Sequence, residues 1–359
     1  MPTPQTQTIP TPWCPISATI TEPDPTTTPR HPAPTDLTLL LLHGNSSSSL
    51  AFSHILSRDP PAGVCRVIAL DYPGHGRSGN AATDAEADRV YTQPGYAVVA
   101  AHALAALGVR GRVAVLGWSL GGHVAIELIP LLAPSSLADR AAALGAGPLP
   151  GTTIVSPPPP PPPPPPASRA ISLAGIMLVG TPPLGNAAQL KAGFTLGAGE
   201  CASARESRKG DVGRGGRAAV GEISFFALAA EELTDDLVES LTVAGHGPPR
   251  EQWMADGVRR TDGRARRAMA ENAFAGELSD QVGIVGASDV LCAVVNGAEE
   301  QFVNLDYVDG VSFRNLWRGE CHRIPALGHA PFWEAPDLFW DDYLTPFLAD
   351  CNAAQAYSL

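Results

Sequence analysis

The chain has 359 residues, of which 44% are hydrophobic and 17% are charged, and its formal net charge is −12. This size and composition fit one large globular domain or two ordinary ones, and the acidic balance argues against nucleic acid as a partner. Because no apolar stretch reaches the ~18 residues that a membrane-spanning helix needs, no membrane span is predicted.

The cysteines and the first residues bear on the cellular compartment. The six cysteines are scattered and form no CxxC pair, which favours reduced thiols over a disulfide or metal framework. The opening residues, MPTPQTQTIPTPWCP, have neither the basic start nor the apolar core of a secretory signal. We therefore expect a cytoplasmic protein.

Apolar runs alternate with helical patterns along most of the chain. Residues 1–36 are rich in Pro and Thr and are predicted to be largely irregular. Strands are predicted at Leu37–Leu42, Arg66–Leu70, Arg112–Leu116, Ile176–Val179, Leu291–Val295 and His322–Ile324, and helices at Ser49–Leu56, Gly95–Leu107, Leu120–Leu132 and Asp337–Leu348. Near-continuous apolar strands that alternate with helices predict an α/β fold, with a predominantly parallel sheet flanked by helices.

Two segments interrupt this alternation. Pro157–Pro166 is a run of ten prolines, which predicts a polyproline II rod within a surface insertion at residues 145–170; it is either a tolerated insertion or a ligand for a proline-binding module. Residues 186–288 lack strand alternation and include a Gly/Arg-rich stretch. Helical patterns within them, at Ile223–Leu233, Asp235–Thr242 and Ala265–Phe274, predict a helical cap inserted between two strands.

A sharp turn joins the strand Arg112–Leu116 to the next helix, in the sequence VLGWSLGGH. A turn this tight holds its central residue, Ser119, in a strained backbone conformation and leaves no room for side chains two positions away, where Gly117 and Gly121 stand. The serine hydroxyl then projects from the end of the strand, beside the N–H groups and the positive dipole end of the helix. GxSxG between a strand and a helix predicts a nucleophilic serine.

Four motifs in this order resemble the α/β-hydrolase superfamily, and its esterase- and lipase-like members in particular: LLLLHGNSSSS, ALDYPGHGRS, VLGWSLGGH and PALGHAPFWEAP. The resemblance covers residues 37–185 and 289–350, which it implies are the hydrolase core, with 186–288 as a cap or lid. The HGN loop is also similar to that of haloalkane dehalogenases and epoxide hydrolases. Those enzymes carry aspartate at the elbow, so Ser119 disfavours alkyl-enzyme chemistry of their kind.

The resemblance implies a triad in the chain order serine, acid, histidine. Ser119 needs a general base, and the family's base lies on the loop before the final helix, where this chain has His329; His322 is the alternative. In the family, a glycine at the end of the preceding strand is followed by two residues and then the acid, which selects Glu300, with Glu299 as the alternative. Glutamate here departs from the commoner aspartate.

An oxyanion formed by attack on a carbonyl needs donors aimed at it. Geometry gives the backbone N–H of Leu120 as one donor, and the loop after the HG pair is expected to give the other, from Asn45 or alternatively from Ser46. Trp118 and His43 are candidates for the substrate pocket. Trp118 could equally be a packing residue, and His43 is also expected to hold its loop by hydrogen bonds.

The sequence therefore predicts a carboxylesterase-like hydrolase that cleaves an ester or related acyl bond of a small molecule through an acyl-enzyme. Because it has no metal-ligand spacing and no phosphate-cradling loop, neither a metal nor an organic cofactor is expected. The alternatives are acyl transfer to an alcohol or peroxide, or C–C bond hydrolysis, by the same triad. A non-catalytic ligand-binding or interaction protein of the same fold is a further alternative.

Overall fold

The computed structural model describes residues 2–23, 37–132, 171–195, 229–274 and 279–353, and these residues contain one eight-stranded sheet. The strands are β1 (Gln5–Ile9), β2 (Ile16–Thr21), β3 (Leu37–Leu42), β4 (Val64–Leu70), β5 (Gly111–Trp118), β6 (Ile171–Val179), β7 (Leu291–Gly297) and β8 (His322–Ile324). Their order in the sheet is β1-β2-β4-β3-β5-β6-β7-β8. The first two pairs, β1–β2 and β2–β4, are antiparallel. All the other neighbouring pairs are parallel. The predicted α/β fold with a mostly parallel sheet is confirmed.

The N-terminal segment is more ordered than its composition suggests. The expectation of a largely irregular segment does not hold for β1 and β2, which extend the sheet at the edge beyond β4. The prolines of this segment fall outside both strands, so no ladder donor is lost. The Thr and Ile residues within the strands favour extended backbone.

Helices cover both faces of the sheet. In the first half of the chain a 3-10 turn, Ser49–Phe52, leads into α1 (Ser53–Leu56), and α2 (Asp84–Val90), α3 (Gln93–Ala106) and α4 (Leu120–Leu131) follow. On the central strand β3, Leu40 and Leu42 belong to the apolar cluster that contains α3 and α4, and Leu39 and Leu41 to the cluster on the opposite face. A strand buried on both faces explains the uninterrupted run of leucines.

A second group of helices follows β6 in the chain. Between β6 and β7 lie α5 (Ala187–Gly193), α6 (Asp235–His246), α7 (Gln252–Arg260), α8 (Gly263–Phe274) and α9 (Gln281–Ala287), which we call the helical insertion. Arg264 of α8 is paired with Asp84 at 3.1 Å, and Tyr91 donates a hydrogen bond of 2.8 Å to Asp262. These contacts hold the insertion to the α2 region of the core.

The end of the chain packs back onto the sheet. After β7 comes α10 (Leu305–Asp309), and after β8 come α11 (Pro331–Glu334), α12 (Pro336–Leu338), a π-helical turn (Phe339–Leu344) and α13 (Thr345–Ala353). Phe347 and Leu348 of α13 join the apolar cluster that contains Leu39 and Leu41. The predicted closing helix, Asp337–Leu348, thus corresponds to α12, the π-helical turn and the first part of α13.

Three of the predicted segments lie wholly or mostly in parts of the chain that the structure does not describe. The proline run Pro157–Pro166, the Gly/Arg-rich stretch and most of the predicted helix Ile223–Leu233 lie outside the described residues. Within the described ranges no helix is long and apolar enough to cross a membrane. Five cysteines in these ranges, Cys14, Cys65, Cys292, Cys321 and Cys351, are free thiols.

Candidate active site

The carboxyl ends of neighbouring parallel strands bring the predicted site residues to one edge of the sheet. The loop after β3 carries Asn45, β5 runs into Ser119, β7 is followed by Glu300, and the loop after β8 carries His329. In open α/β sheets this edge is where ligands bind, because loops from several strands converge there.

Ser119 occupies the turn between β5 and α4 with φ 53° and ψ −116°. A β-carbon at Gly121 would lie 2.0 Å from the carbonyl oxygen of Leu42, and one at Gly117 would lie 2.3 Å from that of Gly121. The Ser119 N–H donates to the carbonyl of Val179 at 2.7 Å, which ties the turn to β6. Packing that admits only glycine on both sides thus holds a non-glycine residue in the left-handed region, at a cost of about 1–3 kcal/mol.

His329 and Glu300 form a buried pair. The Nδ1 atom of His329 lies 2.7 Å from Oε2 of Glu300, and the side chains are 5% and 0% exposed. The second carboxylate oxygen accepts a hydrogen bond of 2.7 Å from the N–H of Phe302, so the carboxylate is fixed at both oxygens. An imidazole that donates from Nδ1 presents Nε2 as its proton acceptor, which is the arrangement a general base requires.

The two alternatives for this pair lie elsewhere. Glu299 is exposed, and its N–H donates to the carbonyl of Leu327 at 2.8 Å. His322 lies on β8, with its ring 5.1 Å from that of Trp317 and its Nδ1 3.7 Å from Glu320. Of the two candidate acids and the two candidate bases, the structure therefore brings together Glu300 and His329.

A pocket opens over Ser119 and His329. It is lined by Gly44, Asn45, Ser46, Trp118, Ser119, Phe194, Leu241, Gly245, His246, Val258, Phe302 and His329. Leu120 follows Ser119 as the first residue of α4, so its N–H has no acceptor within the helix. Across the described part of the chain, no group of three or more His, Cys, Asp or Glu side chains is placed to hold a metal ion.

Trp118 and His43 differ in their relation to this pocket. Trp118 lines it and also packs: its indole N–H donates to the carbonyl of His329 at 3.0 Å. His43 does not line it, in contrast to the prediction. Its Nδ1–H donates to the carbonyl of Gly44 at 2.8 Å, its Nε2 accepts from the N–H of Tyr72 at 3.1 Å, and burial lowers its pKa. His43 is thus a neutral loop-holding residue, because both of its nitrogens are used by the backbone.

Gly180 is a site residue that sequence reasoning missed. It follows β6 with φ +60°, and a β-carbon there would lie 2.6 Å from Cε1 of His329. Its N–H donates to Oδ1 of Asn296 at 2.7 Å. The absence of a side chain after β6 therefore leaves the space that the His329 ring occupies.

Glu334 is a second residue that the sequence did not reveal. One of its carboxylate oxygens accepts from the N–H of Gly328 at 2.8 Å, and the other accepts from the N–H of Ala330 at 3.0 Å. The carboxylate thus bonds the backbone on both sides of His329. The sequence signal for this contact is slight: a glutamate five residues after the histidine, at the end of the four-residue helix α11.

Replacing Glu334 with glutamine is expected to lower the kcat of the predicted ester hydrolysis about tenfold, with little change in the KM for the ester. The amide has one acceptor oxygen for two N–H groups, so one partly buried hydrogen bond is lost. A hydrogen bond to a charged partner is worth about 1.5 kcal/mol, which corresponds to about tenfold in rate. Steady-state kinetics of E334Q checks this, with E320Q at an exposed glutamate as the matched control. A kcat equal to that of the wild type would show that the loop holds His329 without Glu334.

Comparisons with known proteins agree with this architecture. The sequence profile of the alpha/beta hydrolase family matches residues 39–342. The N-acyl homoserine lactonase AidH, complexed with N-butanoyl homoserine, is similar over 97% of each chain, with 31% identity and a TM-score of 0.69. The esterase RhEst1 from Rhodococcus sp. ECU1013 is similar over 96% of this chain and 98% of its own, with 18% identity and a TM-score of 0.55. The esterase EaEST from Exiguobacterium antarcticum is similar over 97% and 99%, with 13% identity and a TM-score of 0.57.

Proposed function

Because the chain belongs to the α/β-hydrolase family, we propose that it is a serine hydrolase that cleaves a carboxylic ester through an acyl-enzyme and needs no cofactor. The observation that carries the proposal is the buried Glu300–His329 pair, whose Oε2 and Nδ1 atoms lie 2.7 Å apart, together with the pocket that His329 and Ser119 both line. A buried imidazole that a carboxylate orients, in one pocket with a strained serine, supports nucleophilic catalysis by that serine.

The reaction has two halves. Ser119 Oγ attacks the substrate carbonyl while Nε2 of His329 takes its proton, and Glu300 stabilises the imidazolium that results. The N–H groups of Leu120 and Asn45 bind the oxyanion, and His329 then returns the proton to the leaving alcohol. In the second half, water attacks the acyl-enzyme while His329 takes its proton. His329 then returns this proton to Ser119 Oγ as the acyl–oxygen bond breaks, and the acid leaves.

The helical insertion is proposed to act as a cap over a core formed by residues 37–185 and 289–350. Five residues of the segment between β6 and β7 line the pocket: Phe194, Leu241, Gly245, His246 and Val258. Three of them have apolar side chains, and Phe302 of the core adds a fourth. An apolar wall opposite a few polar groups suits a substrate with an acyl chain.

A cyclic ester is the substrate that the comparisons favour. AidH is named an N-acyl homoserine lactonase, and one of its structures contains N-hexanoyl homoserine lactone in a serine-to-glycine mutant. At 31–32% identity over 97% of this chain, this likeness supports an N-acyl homoserine lactone as the substrate, with an open-chain carboxylic ester as the second candidate.

Product analysis separates these substrates. The wild-type protein and S119A are incubated with N-hexanoyl homoserine lactone and, separately, with p-nitrophenyl hexanoate. We expect the wild type to add one water to the lactone and leave its amide intact, and we expect S119A to lose nearly all of this activity. Turnover of the aryl ester alone would restrict the function to open-chain esters, and release of hexanoate from the lactone would reveal an amidase. Added methanol tests for acyl transfer, because a transferase converts p-nitrophenyl hexanoate to methyl hexanoate and the lactone to the methyl ester of N-hexanoyl homoserine.

A further inference from the structure

A histidine of the helical insertion contacts the loop that is proposed to bind the oxyanion. His246 is the last residue of α6, and its Nε2 lies 3.0 Å from Oγ of Ser47, 199 residues away in the sequence. Its Nδ1 lies 3.4 Å from the carbonyl of Thr242, one helical turn earlier. A carbonyl can only accept, so Nδ1 carries the proton and the Ser47 hydroxyl donates to Nε2.

This contact is buried and fixed on several sides. Ser47 is 0% exposed and His246 is 3% exposed. The imidazole packs against two indoles: its ring centroid lies 5.3 Å from that of Trp118 and 5.3 Å from that of Trp253. Burial lowers the pKa of His246 to about 4, so the ring stays neutral and keeps its acceptor nitrogen at neutral pH.

Ser47 directly follows Asn45 and Ser46, the two candidates for an oxyanion donor on this loop. Ser46 lines the pocket and holds a left-handed backbone, with φ 57°. α7 passes over the same turn, since a β-carbon at Gly257 would lie 3.7 Å from the carbonyl oxygen of Ser46. A strained turn persists only where its surroundings hold it, and here the surroundings include the helical insertion.

We propose that His246 is a positioning residue: by accepting the Ser47 hydrogen bond it holds the turn at Asn45 and Ser46 in the conformation that binds the oxyanion. The insertion then contributes to transition-state stabilisation as well as to the pocket wall. This inference rests on the proposed function, because it assigns a role within the same site.

The test is a double-mutant cycle. H246F keeps a flat ring beside the two indoles and removes the Nε2 acceptor, together with the Nδ1–H that faces the carbonyl of Thr242 within α6. S47A removes only the hydroxyl donor. Each single variant is expected to lower kcat about tenfold, the rate equivalent of one lost hydrogen bond, with KM within about twofold of the wild type. The double variant is expected to lose about tenfold as well, rather than a hundredfold, because both changes delete one interaction.

Two further measurements separate positioning from a general structural role. A trifluoromethyl ketone forms a hemiketal with the serine, so its affinity is expected to fall by the same factor as kcat/KM. S48A, which alters the neighbouring serine in the same run, is expected to retain the wild-type kcat. S47A is a small change, so it keeps the test open if H246F does not fold.

The outcomes that would overturn the inference are distinct from failure of the proposed function. A raised KM with unchanged kcat would make His246 a wall of the pocket only, and multiplicative losses in the double variant would show that the two residues act independently. An unchanged kcat in H246F alongside an inactive S119A would refute the positioning role alone. Inactivity of the wild-type protein, or full activity of S119A, would instead refute the proposed function.

Discussion

Replacing Ser119 with alanine is expected to remove nearly all ester hydrolysis, by about 10⁴-fold or more in kcat, and to leave the fold intact. The loss follows because the alanine side chain has no nucleophile, while the proposed oxyanion donors, the N–H groups of Leu120 and Asn45, remain. A residual rate about 10³-fold above that in water is consistent with binding and oxyanion stabilisation alone.

The fold is expected to tolerate S119A because the change is small. Ser119 is only half-buried, and alanine requires the same left-handed backbone that serine already has. The measurements are kcat for the ester and the lactone, with the melting temperature as the check on folding and S57A, at an exposed serine, as the control. Activity within a few-fold of the wild type would contradict the assignment of the nucleophile.

The neighbouring glutamates give the second large contrast. E300Q is expected to lower kcat by about 10³- to 10⁴-fold, the scale seen when an amide replaces the acid of a serine-protease triad. Phe302 N–H already donates to one oxygen of Glu300, so the amide N–H₂ of glutamine would face His329 Nδ1. That ring nitrogen would become an acceptor, so the ring's proton would sit on Nε2, which then could not take the proton of Ser119.

E299Q is the matched control for this contrast. Glu299 is exposed and next to Glu300 in the chain, so the same chemical change there is expected to leave kcat within about twofold. Equal losses in both variants, or a loss in E299Q alone, would contradict the assignment of the acid.

The local features of the site were accessible from the sequence because they depend on near neighbours in the chain. Gly117 and Gly121 flank Ser119 within five residues, and the structure shows the close backbone approaches that exclude side chains at both positions. The same holds for β3, whose leucines predict burial on both faces at any position in a sheet. The resemblance supplied the spacing that favoured Glu300 over Glu299.

The missed features depend on tertiary contacts. The Ser47–His246 bond joins residues 199 apart, and no local pattern in either segment indicates it. His43 was expected at the pocket, but the carbonyl of Gly44 and the N–H of Tyr72 engage its ring beneath the site. β1 and β2 were missed because the prediction for residues 1–36 used the Pro and Thr content of the whole segment. That average does not register the short proline-free stretches that pair with the sheet.

Labelling with a fluorophosphonate, followed by peptide mass spectrometry, tests most directly whether this chain is a serine hydrolase. The reagent phosphonylates an activated serine irreversibly, so the adduct does not turn over. The account predicts one adduct per chain, on Ser119, with ester hydrolysis lost in proportion to labelling and no adduct in S119A. An adduct on another residue, or full hydrolytic activity in a protein labelled completely at Ser119, would contradict it.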